Sequence, residues 1–126
     1  MSEILFSSSY DDTHPPQNIL TNNKEFWTCT GLYPQELCIH LDSTRNINSV
    51  SISSFGVKQI IIETCESESA GTFVKQAEMI DVPPGNGKLQ EYFLNFTQQS
   101  SKVKILKLKI LDGYEEFCSV HSIVFK

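Results

Sequence analysis

The sequence has no apolar run near the about 20 residues that a membrane-crossing helix needs, and no window of about 11 residues spaces its apolar side chains as a helix does. The first absence excludes a helical membrane span and predicts a soluble protein with no direct membrane insertion. The second points to an all-β chain. Basic charge is also scarce: 10 Lys and Arg stand against 15 Asp and Glu, for a net charge of -5. A general nucleic-acid binder needs a clustered positive surface, so no nucleic-acid partner is expected. The one basic run, Lys102, Lys104, Lys107 and Lys109, is interleaved with apolar residues and reads as the solvated face of a strand.

Catalytic signatures are missing as well. There is no G-x-S-x-G elbow, no H-E-x-x-H helix, no phosphate-cradling glycine loop and no C-x-x-C pair. His14, His40 and His121 therefore stand outside any recognisable acid–base or nucleophile arrangement, and the chain is not expected to be an enzyme. Cys118 and His121 lie three apart, an offset that places them on opposite faces of a strand and argues against a shared metal. The four cysteines sit beside apolar or strand residues and are expected to be free, mostly buried thiols. The N-terminal MSEILFSSS carries an acid where a signal peptide has positive charge, so secretion is not expected, and Asn95-Phe96-Thr97 is a chance glycosylation match.

What the chain does have is a period of two. Its length suits one domain over residues 1–126 with a core of its own. Leu37, Ile39 and Leu41 alternate with Cys38 and His40, which places His40 on the opposite sheet face, and Val50 and Ile52 alternate with Ser49, Ser51 and Ser53. Val57 to Glu63, with Ile60, Ile61 and Ile62 in succession, reads as a central strand covered on both faces. Thr72 to Met79, Leu89 to Phe96, Lys102 to Leu111 and Cys118 to Phe125 are further strands, after a short first one near Ile4 to Phe6. In Lys102 to Leu111 the apolar phase switches from Val103 and Ile105 to Leu106, Leu108 and Ile110, which predicts a β-bulge near Ile105 and Leu106. Roughly eight strands with turn signals about every ten residues imply a sandwich or barrel. Glu63 to Gly71, with Glu66 and Glu68, reads as a solvated loop.

The segment His14 to Glu36 departs from this rhythm. Pro15 and Pro16 fix successive φ angles and hold back any helical turn until Gln17. Thr21, Asn22 and Asn23 suit a tight turn. Phe26 and the single Trp, Trp27, supply apolar area for anchoring the loop on the core, against the alternative of an exposed Trp27 platform for a sugar. Asp11, Asp12, Thr21, Asn22, Asn23 and Glu25 are the one set of hard-cation donors on offer, with only Glu25 an acid in the second group. Tyr33, Phe55, Tyr114 and Phe117 are expected in loops, as anchors for an interface.

HPPQNIL, then EFWTCTGLYPQE, then FCSVHS near the C-terminus resemble, in that order, the intraflagellar transport protein 25 (heat-shock protein beta-11) family. The residues that carry the resemblance are His14, Pro15, Pro16, Asn18, Phe26, Trp27, Thr28, Pro34, Ser119, Val120 and His121. It implies a galactose-binding, discoidin-like jelly-roll β-sandwich of about eight antiparallel strands. It further implies a non-enzymatic subunit of the intraflagellar transport B complex, paired with a Rab-like small GTPase, intraflagellar transport protein 27, in cytoplasm and cilium or flagellum, supporting ciliary cargo transport. A carbohydrate-binding module of the same fold is the alternative. The family's calcium site implies acids that this chain lacks. The matching turn reads Thr21-Asn22-Asn23, followed by Glu25, and the chain ends on Lys126, so no calcium or other cofactor is expected.

Overall fold

The computed structural model describes residues 3–8, 19, 26–29, 33–66, 73–97 and 101–126. Within them run nine strands: β1 (Glu3–Ser7), β2 (Trp27–Cys29), β3 (Gln35–Ile47), β4 (Ser49–Phe55), β5 (Val57–Cys65), β6 (Val74–Met79), β7 (Gln90–Asn95), β8 (Ser101–Gly113) and β9 (Cys118–Phe125). They form a five-stranded sheet in the order β1-β3-β8-β5-β6 and a four-stranded sheet in the order β2-β9-β4-β7. Every neighbouring pair is antiparallel. The all-β sandwich expected from the alternation is present, with one strand more than the eight read from the sequence. The addition is β2, whose three residues are too few to display a period of two.

The core lies between the sheets. Leu37, Ile39 and Leu41 of β3 and Leu106, Leu108 and Ile110 of β8 meet Val50 and Ile52 of β4, Leu94 of β7 and Val120 of β9. Each of these side chains, taken from water into a packed interior, contributes on the order of 1.5–3 kcal/mol before chain entropy is set against it. Ser49, Ser51 and Ser53 of β4 face outward, as their alternation with Val50 and Ile52 requires.

Four expectations are corrected. β5 is an interior strand, but of its three successive isoleucines only Ile60 and Ile62 are buried in the core; Ile61 lies on the partly exposed outer face, so the strand is not covered on both sides along its length. The irregularity near Ile105 exists, but the extra residues belong to β3: His40 pairs with Ile105 and Arg45 with Val103, so β3 loops out against β8. At that point Lys104 turns inward to 8% exposure and donates from Nζ to the Asp42 carbonyl at 3.3 Å, which removes it from the solvated basic stripe. Cys118 is disulfide-bonded rather than free, and Cys29 stands opposite it in the backbone register of β2 and β9. Cys38 and Cys65 are buried thiols, as expected.

The chain passes from one sheet to the other through single residues. Asn48 alone separates β3 from β4, and Gly56 alone separates β4 from β5. Gly56 takes φ +78°, and a Cβ there would lie 3.1 Å from the Phe117 carbonyl oxygen, so glycine suits this corner. The corner is closed by the Gln90 side chain, which is buried at 4% exposure. Val57 N–H donates to Gln90 Oε1 at 3.0 Å, and Gln90 Nε2 donates to the Val57 carbonyl at 2.7 Å and the Pro83 carbonyl at 3.1 Å. The Ser54 hydroxyl donates to the same Oε1 at 2.9 Å. One carboxamide thus satisfies both backbone groups of Val57 in a place that water does not reach. Gln90→Leu keeps the volume and deletes the polar pairs; urea unfolding is expected to show a loss of about 2–4 kcal/mol, from stranded buried backbone groups.

Candidate functional site

Of the residues that mark the opening segment, Trp27 and Thr28 meet those near the C-terminus in one two-stranded ribbon. β2 lies antiparallel to β9, with Trp27 opposite Val120 and Thr28 opposite Ser119. Trp27 and Val120 are fully buried. Trp27 is therefore a core anchor, and the exposed-platform reading is excluded for it. Phe26 stacks on His121 with ring centroids 4.7 Å apart and planes 26° from parallel. Ser119 Oγ lies 3.0 Å from His121 Nε2, a bond whose donor is set by the imidazole tautomer. Ser119 is buried at 7% exposure, Thr28 and His121 are half-buried, and Pro34 is exposed after a cis Tyr33-Pro34 peptide. His14, Pro15, Pro16, Asn18, Thr21, Asn22, Asn23 and Glu25 lie outside the described residues, as do Asp11 and Asp12; Ile19, from the turn expected there, is buried against the core.

Burial holds the His121 pKa below the ordinary 6.5. The sign follows: the unfolded chain takes up the proton first, so stability falls as pH drops through 6.5 toward the lower folded value and is unaffected above it. His121→Gln is expected to flatten that part of the melting-temperature profile between about pH 7.5 and about pH 5, with the wild type minus variant difference isolating it from His14 and His40.

No catalytic set assembles among the described residues. Burial pushes the Cys38 thiol up, with nearby Lys107 pulling the other way and Glu36 and Glu63 adding to the rise, so it is not poised as a thiolate. Burial also pushes the Tyr92 hydroxyl up to about 12, beside Ser54 Oγ at 3.0 Å. Among the described residues no three His, Cys, Asp or Glu side chains converge as metal ligands. Lys126 is exposed at the chain end, its backbone N–H donating to the Ser49 carbonyl and its carbonyl accepting from Asn48 and Ser49 N–H.

Of the aromatics expected to anchor an interface, Phe55 ends β4 rather than sitting in a loop, and Tyr33 is tied by its hydroxyl to the Glu115 carbonyl at 3.2 Å. Tyr114 donates to the Val82 carbonyl at 2.6 Å and, with Phe55, Gly56 and Asn86, lines a depression of about 190 Å³ at one end of the sandwich. Phe117 is 55% exposed.

The two outer faces differ in kind. On the five-stranded sheet Lys107 Nζ sits 3.8 Å from Glu36, 4.0 Å from Glu63 and 4.1 Å from the Phe73 ring centroid, while Lys109 Nζ lies 3.7 Å from Glu63. The four-stranded sheet carries one formally charged residue in all its strands, Glu91. Phe93 and Val124 stand exposed on it, among serines. Sequence reading missed this face because its signal is an absence spread over four strands far apart in the chain; the uncharged runs of β4 and β9 were the available sign.

No protein-family model matches the chain. It is 32% identical over 123 residues to the human intraflagellar transport protein 25 homolog, covering 97% of this chain and 83% of that protein. This chain belongs to the intraflagellar transport protein 25 family. The Chlamydomonas reinhardtii intraflagellar transport protein 25 is 27% identical over 95% of this chain and 62% of its own length. Among solved structures, a family 32 carbohydrate-binding module of Clostridium perfringens NanJ in complex with galactose superposes with a TM-score of 0.79 at 15% identity, covering 99% of this chain and 98% of that one. XRCC1, in a crystal structure of its reduced form bound to the DNA pol beta catalytic domain, does so at 0.83 and 16% identity, over 98% and 94%. These likenesses establish the galactose-binding-like jelly roll. Membership in the intraflagellar transport protein 25 family establishes a role in intraflagellar transport and an association with the cilium or flagellum. No helix among the described residues is long and apolar enough to cross a membrane.

Proposed function

We propose that the chain is a non-enzymatic subunit of the intraflagellar transport B complex that forms a heterodimer with a Rab-like small GTPase, intraflagellar transport protein 27, and supports ciliary cargo transport as a single domain. The observation that carries this reading is family identity over 97% of the chain, joined to motif residues that the β2–β9 ribbon brings together. The described residues offer a surface and no reacting centre, which suits a subunit whose partner holds the nucleotide chemistry. A structural neighbour seen bound to a polymerase domain supports the capacity of this fold to dock another globular protein. A glycan role draws little from the molecule, since its expected platform, Trp27, is inside the core. Co-expression of the chain with the Rab-like GTPase is expected to yield a complex of one copy each in size-exclusion chromatography with light scattering; separate elution of the two proteins would refute the heterodimer.

Calcium is proposed to play no part, given Lys126 and the acid-poor turn Thr21-Asn22-Asn23. Isothermal calorimetry with calcium chloride is expected to show no heat of binding in the micromolar range, and no rise in melting temperature, because only a ligand that binds the folded chain stabilises it.

A further inference from the structure

We propose that the outer face of the four-stranded sheet is the surface that docks a protein partner, and that Glu91 and Phe93 together receive an arginine side chain from it. This inference rests on the heterodimer reading and adds the face and the chemistry of the contact. Interfaces are set apart from ordinary surface by depletion of charge at their centre more than by greasiness. The face has that property: Glu91 is its one formal charge, in a chain with 15 acids and 10 basic residues.

Cross-strand register arranges the face in two rows. Phe93, Ser51 and Val124 stand abreast on β7, β4 and β9, and Glu91, Ser53 and Ser122 stand abreast in the next row. Phe93 at 60% exposure and Val124 at 49% flank a low floor of serines, where a second protein's side chains can approach closely. A depression of about 290 Å³ spans these rows and is lined by Ser51, Ser53, Glu91, Phe93 and Ser122. No ion pair reaches Glu91 among the described residues.

The five-stranded sheet shows the complete version of the same arrangement. There an acid pair, Glu36 and Glu63, and an aromatic ring, Phe73, surround a cation that the chain itself provides, Lys107. Glu91 and Phe93, two apart and so on one side of β7, repeat the acid and the ring without the cation. A guanidinium suits the gap better than an ammonium does: its planar fork donates to a carboxylate and to the Ser53 and Ser122 hydroxyl oxygens, while its flat face lies on Phe93. A second copy of this chain does not suit it. Two such faces together would oppose two Glu91 carboxylates, each on a chain of net charge -5.

The test measures binding of purified wild type and variants to the Rab-like GTPase. Glu91→Gln and Phe93→Ala are expected to weaken the dissociation constant about tenfold each, and Glu91→Lys about a hundredfold, while Lys75→Gln on the other sheet binds as wild type. Melting curves of each variant check that the fold is kept; Ser51→Arg, which adds bulk and like charge to the same face, replaces any variant that melts early. Undiminished binding by Glu91→Lys and Phe93→Ala overturns this inference alone. No association by the wild type overturns the heterodimer and this inference together. Wild-type self-association that Glu91→Lys abolishes assigns the face to a second copy and also overturns it.

Discussion

The sandwich depends on how a chain turns from one sheet into the other without stranding its backbone. At Gly56 it does so in one residue, too short for any loop to supply hydrogen bonds of its own. Gln90 solves this by acting as a side-chain peptide group, accepting from Val57 N–H and donating to the Val57 carbonyl. Because Gln90 opens β7 and pairs in register with Ser54, the same bonds set which residues of β7 point inward. Tyr92 and Leu94 turn to the interior and Glu91 and Phe93 to solvent. The corner and the character of the outer face are thus one constraint.

The longer strands were legible because each has one face in the core, and alternation survives wherever that holds. β3 and β4 follow the pattern read from Leu37 to Leu41 and Val50 to Ile52, while β9 lies where Cys118 to Phe125 was read although its alternation slips between Val120 and Ser122. β2 was not legible, since three residues cannot repeat a period of two. The Ile60 to Ile62 run misled for a different reason. A β-branched residue on an open face is favoured by strand geometry alone, so Ile61 implies no covering layer. The bulge was detected from β8 but belongs to β3: a shift of apolar phase reveals that two strands fall out of step and not which of them carries the extra residues. Lys104 was misplaced with it, since a basic side chain at a bulge can turn inward to reach a carbonyl.

The candidate site was legible in its parts and not in its assembly. Phe26, Trp27, Thr28 and Ser119, Val120, His121 stand near opposite ends of the sequence, and only the pairing of β2 with β9 makes them one ribbon. Local reading likewise treated Cys118 as an isolated buried thiol, although its bonding is decided by what the neighbouring strand brings to it. The docking face was hidden most fully. Four strands short of charge mean little separately, because inward-facing residues already account for half of each; the deficit has meaning once their outward halves lie side by side.

The same jelly roll occurs in a domain complexed with galactose and in one bound to a polymerase domain, so the fold decides neither use. What decides it is where the aromatic side chains are spent. A sugar site needs rings exposed and fixed beside a fan of polar groups, and this chain commits its single Trp to the core at 0% exposure. Among the described residues its exposed rings are dispersed instead: Phe93 on the charge-poor face, Tyr114 and Phe117 after the β8 strand and Phe6 on an edge. One ring amid small hydroxyls and a lone carboxylate is poor at holding a small ligand, which must be surrounded to be desolvated. It is well suited to a flat protein surface, where the partner brings both the counter-charge and the cover that excludes water.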